Sequence, residues 1–176
     1  MDGVLADFHK GVYDAFQQPY KYDKSLATWN FWEDWDEPIT REDLNVKCDT
    51  HFWEHLPWTY DGLKIFETIR SKFKPEQIYL LTNPVVGGAG TATGKLLWIE
   101  KYLPGFVKRT IITQASKGLL AKPNTLLIDD NNGYIDGFIE AGGQGILVPR
   151  PWNRDYGMAS YTVEVVKECL ENVTSC

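Results

Sequence analysis

Thr125-Leu126-Leu127-Ile128-Asp129-Asp130-Asn131-Asn132 is an apolar run that ends on two adjacent carboxylates. A run without polar alternation, closed by polar residues, is what a strand buried on both faces requires. Three more runs have this character: Ile78-Tyr79-Leu80-Leu81 before Thr82-Asn83-Pro84, Thr110-Ile111-Ile112-Thr113, and Gly145-Ile146-Leu147-Val148. Between them the apolar residues take helical spacing, at Leu63, Phe66, Ile69 and Phe73, at Leu97, Trp98 and Tyr102, and at Ile135, Phe138 and Ile139. A short helix is expected around 115–121 and a closing one over about 160–171. Four apolar strands alternating with helices predict an α/β fold, a doubly wound parallel sheet covered on both faces. Ligands in such sheets sit beyond the carboxyl ends of the strands, which singles out Asp2, Thr82-Asn83, residues 113–117 and Asp129-Asp130.

Outside this rhythm the chain changes character. Phe8, Val12 and Phe16 mark one face of a helix over residues 7–16, directly after Asp2-Gly3-Val4-Leu5. From Pro19 to about Tyr60 the aromatics Trp29, Phe31, Trp32, Trp35, Phe52, Trp53 and Trp58 crowd a stretch with no strand alternation. Thr40-Arg41-Glu42-Asp43 has the order of a capped helix start. The expected organisation is therefore a core from 1–18 and 61–176, with a small helical cap at 19–60.

Composition narrows the function. A chain of 176 residues, 43% of them hydrophobic, can bury one good core. With 18 basic against 24 acidic residues and a net charge of −6, a phosphate-tracking surface and stable nucleic-acid binding are not expected, whereas one local site can still hold a small anion. Cys48, Cys169 and Cys176 lack metal-type spacing and point to free thiols in a reducing compartment. No apolar run approaches the roughly 20 residues of a membrane helix. The expectation is a cytoplasmic protein without a membrane partner, in which the sequon Asn172-Val173-Thr174 has no role.

Asp129 and Asp130 repel unless a cation or a proton sits between them, and a hard ion such as Mg2+ takes oxygen ligands while keeping waters for a phosphate to displace. The alternative is a helix cap followed by a first-turn acid. Lys117 can reach the same crevice and balance a phosphate; its alternative is a solvated lysine, and Lys122 lies close by in sequence. Thr82 and Asn83 offer a hydroxyl, an amide and backbone donors, or simply a turn before Pro84. These signals converge on one edge of one sheet.

With Met1-Asp2-Gly3-Val4-Leu5-Ala6-Asp7-Phe8 added, the chain resembles the haloacid dehalogenase (HAD) superfamily of phosphatases, which open with Asp-x-Asp-Gly after their first strand. Thr82-Asn83, Lys117 and Asp129-Asp130 match the second, third and fourth motifs in order. Asp-Gly-Val-Leu-Ala-Asp-Phe, the helix Trp98-Ile99-Glu100-Lys101-Tyr102-Leu103 and Leu127-Ile128-Asp129-Asp130 resemble the 5'(3')-deoxyribonucleotidases within it. The resemblance implies hydrolysis of (deoxy)nucleoside monophosphates through an aspartyl-phosphate. Asp2 is then the acid/base, Thr82, Asn83 and Lys117 hold the phosphoryl oxygens, and Mg2+ is held by Asp2, through its backbone carbonyl, and by Asp129 and Asp130. Phe8 matches the family's base-packing aromatic, with Trp29, Phe31 and Trp32 as candidates to complete that pocket; for most of the seven tryptophans core packing is the competing role.

The resemblance also places the nucleophilic aspartate two residues before Asp2 and a central strand upstream of Met1. More N-terminal sequence is expected in the intact protein, and phosphatase activity in residues 1–176 alone is expected to be impaired. The competing readings are a non-catalytic nucleotide-binding module, and a HAD phosphatase acting on a sugar phosphate or a nucleic-acid 3'-phosphate. The expected partner is a small nucleotide, with homodimer formation left open. Gly88-Ala89-Gly90-Thr91-Ala92-Thr93-Gly94-Lys95 has the look of a P-loop but lacks its first glycine and its Ser or Thr after the lysine, and is expected to be a flexible loop at the mouth of the cap.

Overall fold

A computed structural model describes residues 1–20, 22 and 28–173; Thr174 of the sequon and Cys176 lie outside them. The protein is a mixed α/β fold. After an N-terminal loop come α1 (Phe8–Ala15), α2 (Arg41–Lys47), α3 (Thr50–Glu54) and α4 (Gly62–Lys72). Then follow β1 (Leu80–Thr82), α5 (Thr91–Tyr102), β2 (Thr110–Ile112), β3 (Leu126–Asp129), α6 (Asn132–Glu140), β4 (Gln144–Leu147) and α7 (Thr162–Asn172). The helix expected around 115–121 is a single 3-10 turn, Lys117–Leu120.

Helix starts follow their capping chemistry. Asp7 caps α1 by accepting from the Lys10 N–H at 2.9 Å. Thr40 and Asp43 form a reciprocal capping box at α2, as their spacing implies. Asp49 caps α3 through the Phe52 N–H, also at 2.9 Å.

All four strands are parallel-paired, but as two pairs and not as one sheet. β1 runs beside β2 with Leu80 opposite Thr110, and β3 beside β4 with Leu126 opposite Gln144. No ladder among the described residues joins β1 to β3, so the continuous doubly wound sheet is not formed by them. The N-terminal segment is stitched elsewhere, to residues 57–59: the Asp7 N–H donates to the Pro57 carbonyl at 2.8 Å and the Thr59 N–H to the Leu5 carbonyl at 2.8 Å. The Thr59 hydroxyl adds a bond to the Val4 carbonyl at 2.9 Å.

The aromatic residues of the 19–60 stretch do not form a core of their own. Phe31, Trp32, Leu44 and Trp53 belong to one apolar cluster with Met1, Val4, Phe8, Ile65, Phe66, Trp98, Ile99 and Val166. Leu127, Ile135, Phe138 and Leu147 form a smaller cluster between the second strand pair and α6. α3 lies along α5, and this packing explains a departure from the sequence reading. The Gly-rich stretch is not a loop through Lys95, because α5 begins at Thr91 and buries Thr91, Gly94, Lys95, Trp98 and Ile99. Gly94 is small for a reason: a Cβ there would lie 2.5 Å from the Thr50 carbonyl oxygen and 2.6 Å from the Trp53 Cβ.

Candidate active site at the strand ends

The carboxyl ends of β1 and β3 and the N-terminal loop open into one cavity of about 270 Å3, lined among others by Asp2, Thr82, Asn83, Lys95, Lys117, Asp129 and Asp130. Sequence reasoning singled out six of these seven. Its far wall is aromatic, built from Phe8, Trp29, Trp32 and Trp53, with Arg41 beside them. Phe31, expected with that group, is instead core: it does not line the cavity, is 1% exposed and stacks on Tyr13 at 5.0 Å.

Asp129 terminates β3, and the chain turns at Asp130 before the Asn131 cap of α6. Asp129 accepts from the Lys117 ammonium at 2.6 Å and from the Asn131 N–H at 3.0 Å. Lys117 is buried, and its ammonium also lies 4.4 Å from the centre of the Tyr134 ring. Lys122 is exposed and takes no part. Asp130 accepts from the Trp152 indole N–H at 2.7 Å. Burial, then the negative charge of Asp129, push the Asp130 carboxyl up to about 7. The approach of Asp130 to the N-terminal loop depends on Gly3, whose φ is +69° and where a Cβ would lie 2.2 Å from Asp130 Oδ2.

Asp2 is held by a residue that sequence reasoning set aside. The Lys95 ammonium, 1% exposed, donates to Asp2 Oδ2 at 2.5 Å, to the Asn83 carbonyl at 2.6 Å and to the Thr82 hydroxyl at 3.2 Å. It also sits 4.5 Å from the centre of the Trp53 ring. Burial alone would raise the Asp2 carboxyl, but the Lys95 charge, then the Met1 ammonium, the Lys95 hydrogen bond and Lys117 outweigh it and hold the group below the usual carboxylate range. One side chain thus joins the N-terminal loop, the end of β1 and α3.

A second unforeseen support is the segment after β4. Arg150, fully buried, makes a two-pronged ion pair with Asp61 at 2.7 and 2.8 Å, and its Nε donates to the Gly3 carbonyl at 2.6 Å. Asn153 donates to the Asp130 carbonyl and to the Val148 carbonyl, both at 2.8 Å. With Trp152 on the Asp130 carboxylate, residues 150–153 fix both the Asp-Gly turn and the acidic pair. The strand-end rule that picks out Asp129-Asp130 applies equally to the residues following Val148.

The donor set suits a hard divalent ion. Asp129 and Asp130 place two carboxylates side by side, and Asp2 Oδ1 and Asn83 Oδ1 are buried acceptors with no hydrogen-bond partner among the described residues. The side chains of Asp2, Asp129 and Asp130 are not gathered within 4.8 Å of one another; Asp2 is paired with Lys95 and Asp129 with Lys117. A comparison of the chain with models of known protein families finds no match.

Proposed function

We propose that the protein is a magnesium-dependent phosphomonoesterase of HAD type, acting on (deoxy)nucleoside monophosphates, with a core at 1–18 and 61–176 and a cap at 19–60. The observation that carries this reading is the convergence of Asp2, Thr82, Asn83, Lys117, Asp129 and Asp130, four separate stretches of sequence, on one cavity with an aromatic wall. That wall suits a nucleobase, and the cationic side chains beside the carboxylates suit a phosphate.

In this reading Lys117, Thr82 and Asn83 hold the phosphoryl oxygens, and Trp29 and Trp32 pack on the base, with Phe8 stacked between Trp29 and Trp53 as their support. The resemblance assigns Asp2 the acid/base role. With its carboxylate held ionised by Lys95 beside Thr82, it is set to take a proton from water. To protonate a leaving oxygen it must first gain a proton as bound phosphate draws Lys95 away, so Lys95 acts as its positioning residue. By the resemblance, Asp129, Asp130 and the Asp2 carbonyl would hold a Mg2+ ion, which would neutralise charge on the transferring phosphoryl group. The attacking carboxylate is taken from the resemblance, in which it stands two residues before the acid/base aspartate.

The test is Mg2+-dependent phosphate release from a panel of deoxynucleoside monophosphates, with residues 1–176 compared with a chain extended by the translated upstream codons. Release by the extended chain is expected, falling by about 10²-fold or more in Lys117→Met and in Lys95→Met. Removing the base from the substrate should cost most of the activity; retention of activity on sugar phosphates would reassign the substrate. Nucleotide binding without release from either chain would overturn the enzyme reading and make this a binding module.

A further inference from the structure

We propose that His51, Glu54 and His55 form a binding site for a zinc-class divalent ion on the outer face of α3, separate from the acidic pair at the strand ends. His51 and His55 are four residues apart and Glu54 three from His51, so a single helical turn brings all three to one face. One donor atom from each lies within 4.8 Å of the other two, and the two imidazole centres are 4.0 Å apart. Two ligands of one tetrahedral zinc stand about 3.4 Å apart, given bonds of roughly 2.0–2.1 Å, so small rotations of side chains close the site.

The hydrogen bonding already selects the right tautomer. His55 Nδ1 lies 2.9 Å from the His51 carbonyl oxygen. A carbonyl only accepts, so Nδ1, which also lies 4.0 Å from a Glu54 carboxylate oxygen, carries the hydrogen in this arrangement and Nε2 keeps its lone pair. A turn of the imidazole ring presents that lone pair to a metal shared with His51 and Glu54. A ligating imidazole that donates its other nitrogen to a backbone carbonyl is the usual support of a zinc-bound histidine. His51 and His55 are exposed and Glu54 half-buried, which leaves coordination positions for water.

Ligand chemistry separates this site from the first. Imidazole nitrogens suit zinc and its first-row neighbours, whereas Mg2+ favours oxygen ligands in near-ideal octahedral geometry. The position also has a structural consequence. α3 is five residues long, held at its start by Asp49 and ending at the His55 cap. Trp53, on its inner side, stacks on Phe8 at 5.3 Å and carries the Lys95 ammonium. An ion clamped across His51 and His55 would fix the turn that presents Trp53 to the cavity.

The experiment is calorimetric titration of Zn2+ into tag-free, chelator-stripped protein in the presence of excess Mg2+. One equivalent is expected to bind, at least tenfold more weakly to His51→Ala and to His55→Ala and not measurably to the double variant, with circular dichroism unchanged in all three. Co2+ should give the intense visible bands of a low-coordinate site in the wild type and lose them in the double variant. Absence of binding, competition by Mg2+, or stoichiometric Zn2+ retained by His51→Ala/His55→Ala would overturn the proposal, the last result pointing to the thiols. None of these readouts depends on phosphatase activity.

Discussion

The His9 imidazole is fully buried, stacked 3.8 Å from the Trp152 ring, and neither of its nitrogens has a partner among the described residues. Burial, with Arg150 adding to it, pulls its pKa from 6.5 down to about 3. The folded protein therefore keeps His9 neutral where the unfolded chain protonates it. This group's contribution is fully present above pH 6.5 and is lost as pH falls towards 3, at up to about 1.4 kcal/mol per pH unit. His9→Leu should flatten that limb, read as the difference between wild-type and variant urea-unfolding free energies from pH 7 to pH 4. An equal pH dependence in both would show that His9 is solvated in solution. Lys95 is a second residue whose role is hidden from the sequence. Its ammonium lies among Asp2, Thr82 and Asn83 only because α3 and α5 pack together, and nothing local in Thr93-Gly94-Lys95-Leu96 signals burial.

At the scale of elements, glycine content misled where apolar pattern did not. The runs at 78–81, 110–113, 125–128 and 145–148 each overlap a strand, and the 3.6-residue spacing of Leu63, Phe66 and Ile69 and of Ile135 and Phe138 lies on α4 and α6. The periodicity marks the helices but not every core contact: on α4 Leu63 is exposed, while Ile65 and Phe66 are buried. Gly94 sits within a helix because its neighbour is backbone from α3, a long-range fact that composition cannot carry. This gives a prediction whose sign is set by competing magnitudes. Alanine improves helix propensity by about 1 kcal/mol over glycine. Its Cβ, however, would fall 2.5 Å from the Thr50 carbonyl oxygen, and separating two packed helices costs about 1–3 kcal/mol. Gly94→Ala should therefore be net destabilising by thermal unfolding; a raised melting temperature would mean that α3 yields easily. Arg150 and Asn153 follow a strand end that the same rule marks, but their partners Asp61, Gly3 and Asp130 depend on where the chain goes after β4.

Across the whole molecule, the cap boundary legible in composition is not a boundary in the packing. Phe31, Trp32 and Trp53 share one apolar cluster with Trp98, Ile99 and Val166, and the two strand pairs are joined through side chains, not through a common ladder. The convergence of the motif residues on one cavity was legible, because the strand-end rule concerns topology and needs no contact map. The expected continuous sheet was not reproduced: no ladder among the described residues bridges the two strand pairs. Continuity of the core predicts that the 19–60 segment does not melt on its own. Tryptophan emission, dominated by that segment, and far-ultraviolet dichroism, dominated by the helices, should report coincident urea transitions. An earlier emission transition would reveal an independently unfolding cap.

Trp53 is pinned by its indole N–H, which donates to the Cys48 carbonyl at 2.8 Å, while a lysine charge stands 4.5 Å from the centre of its ring. An indole's excited state is sensitive to the field across it, and this field comes from one cation that also holds Asp2. Any anion that draws Lys95 towards itself alters the light emitted by Trp53, so occupancy of the cavity can be followed by eye of a fluorimeter, without label, substrate turnover or added dye.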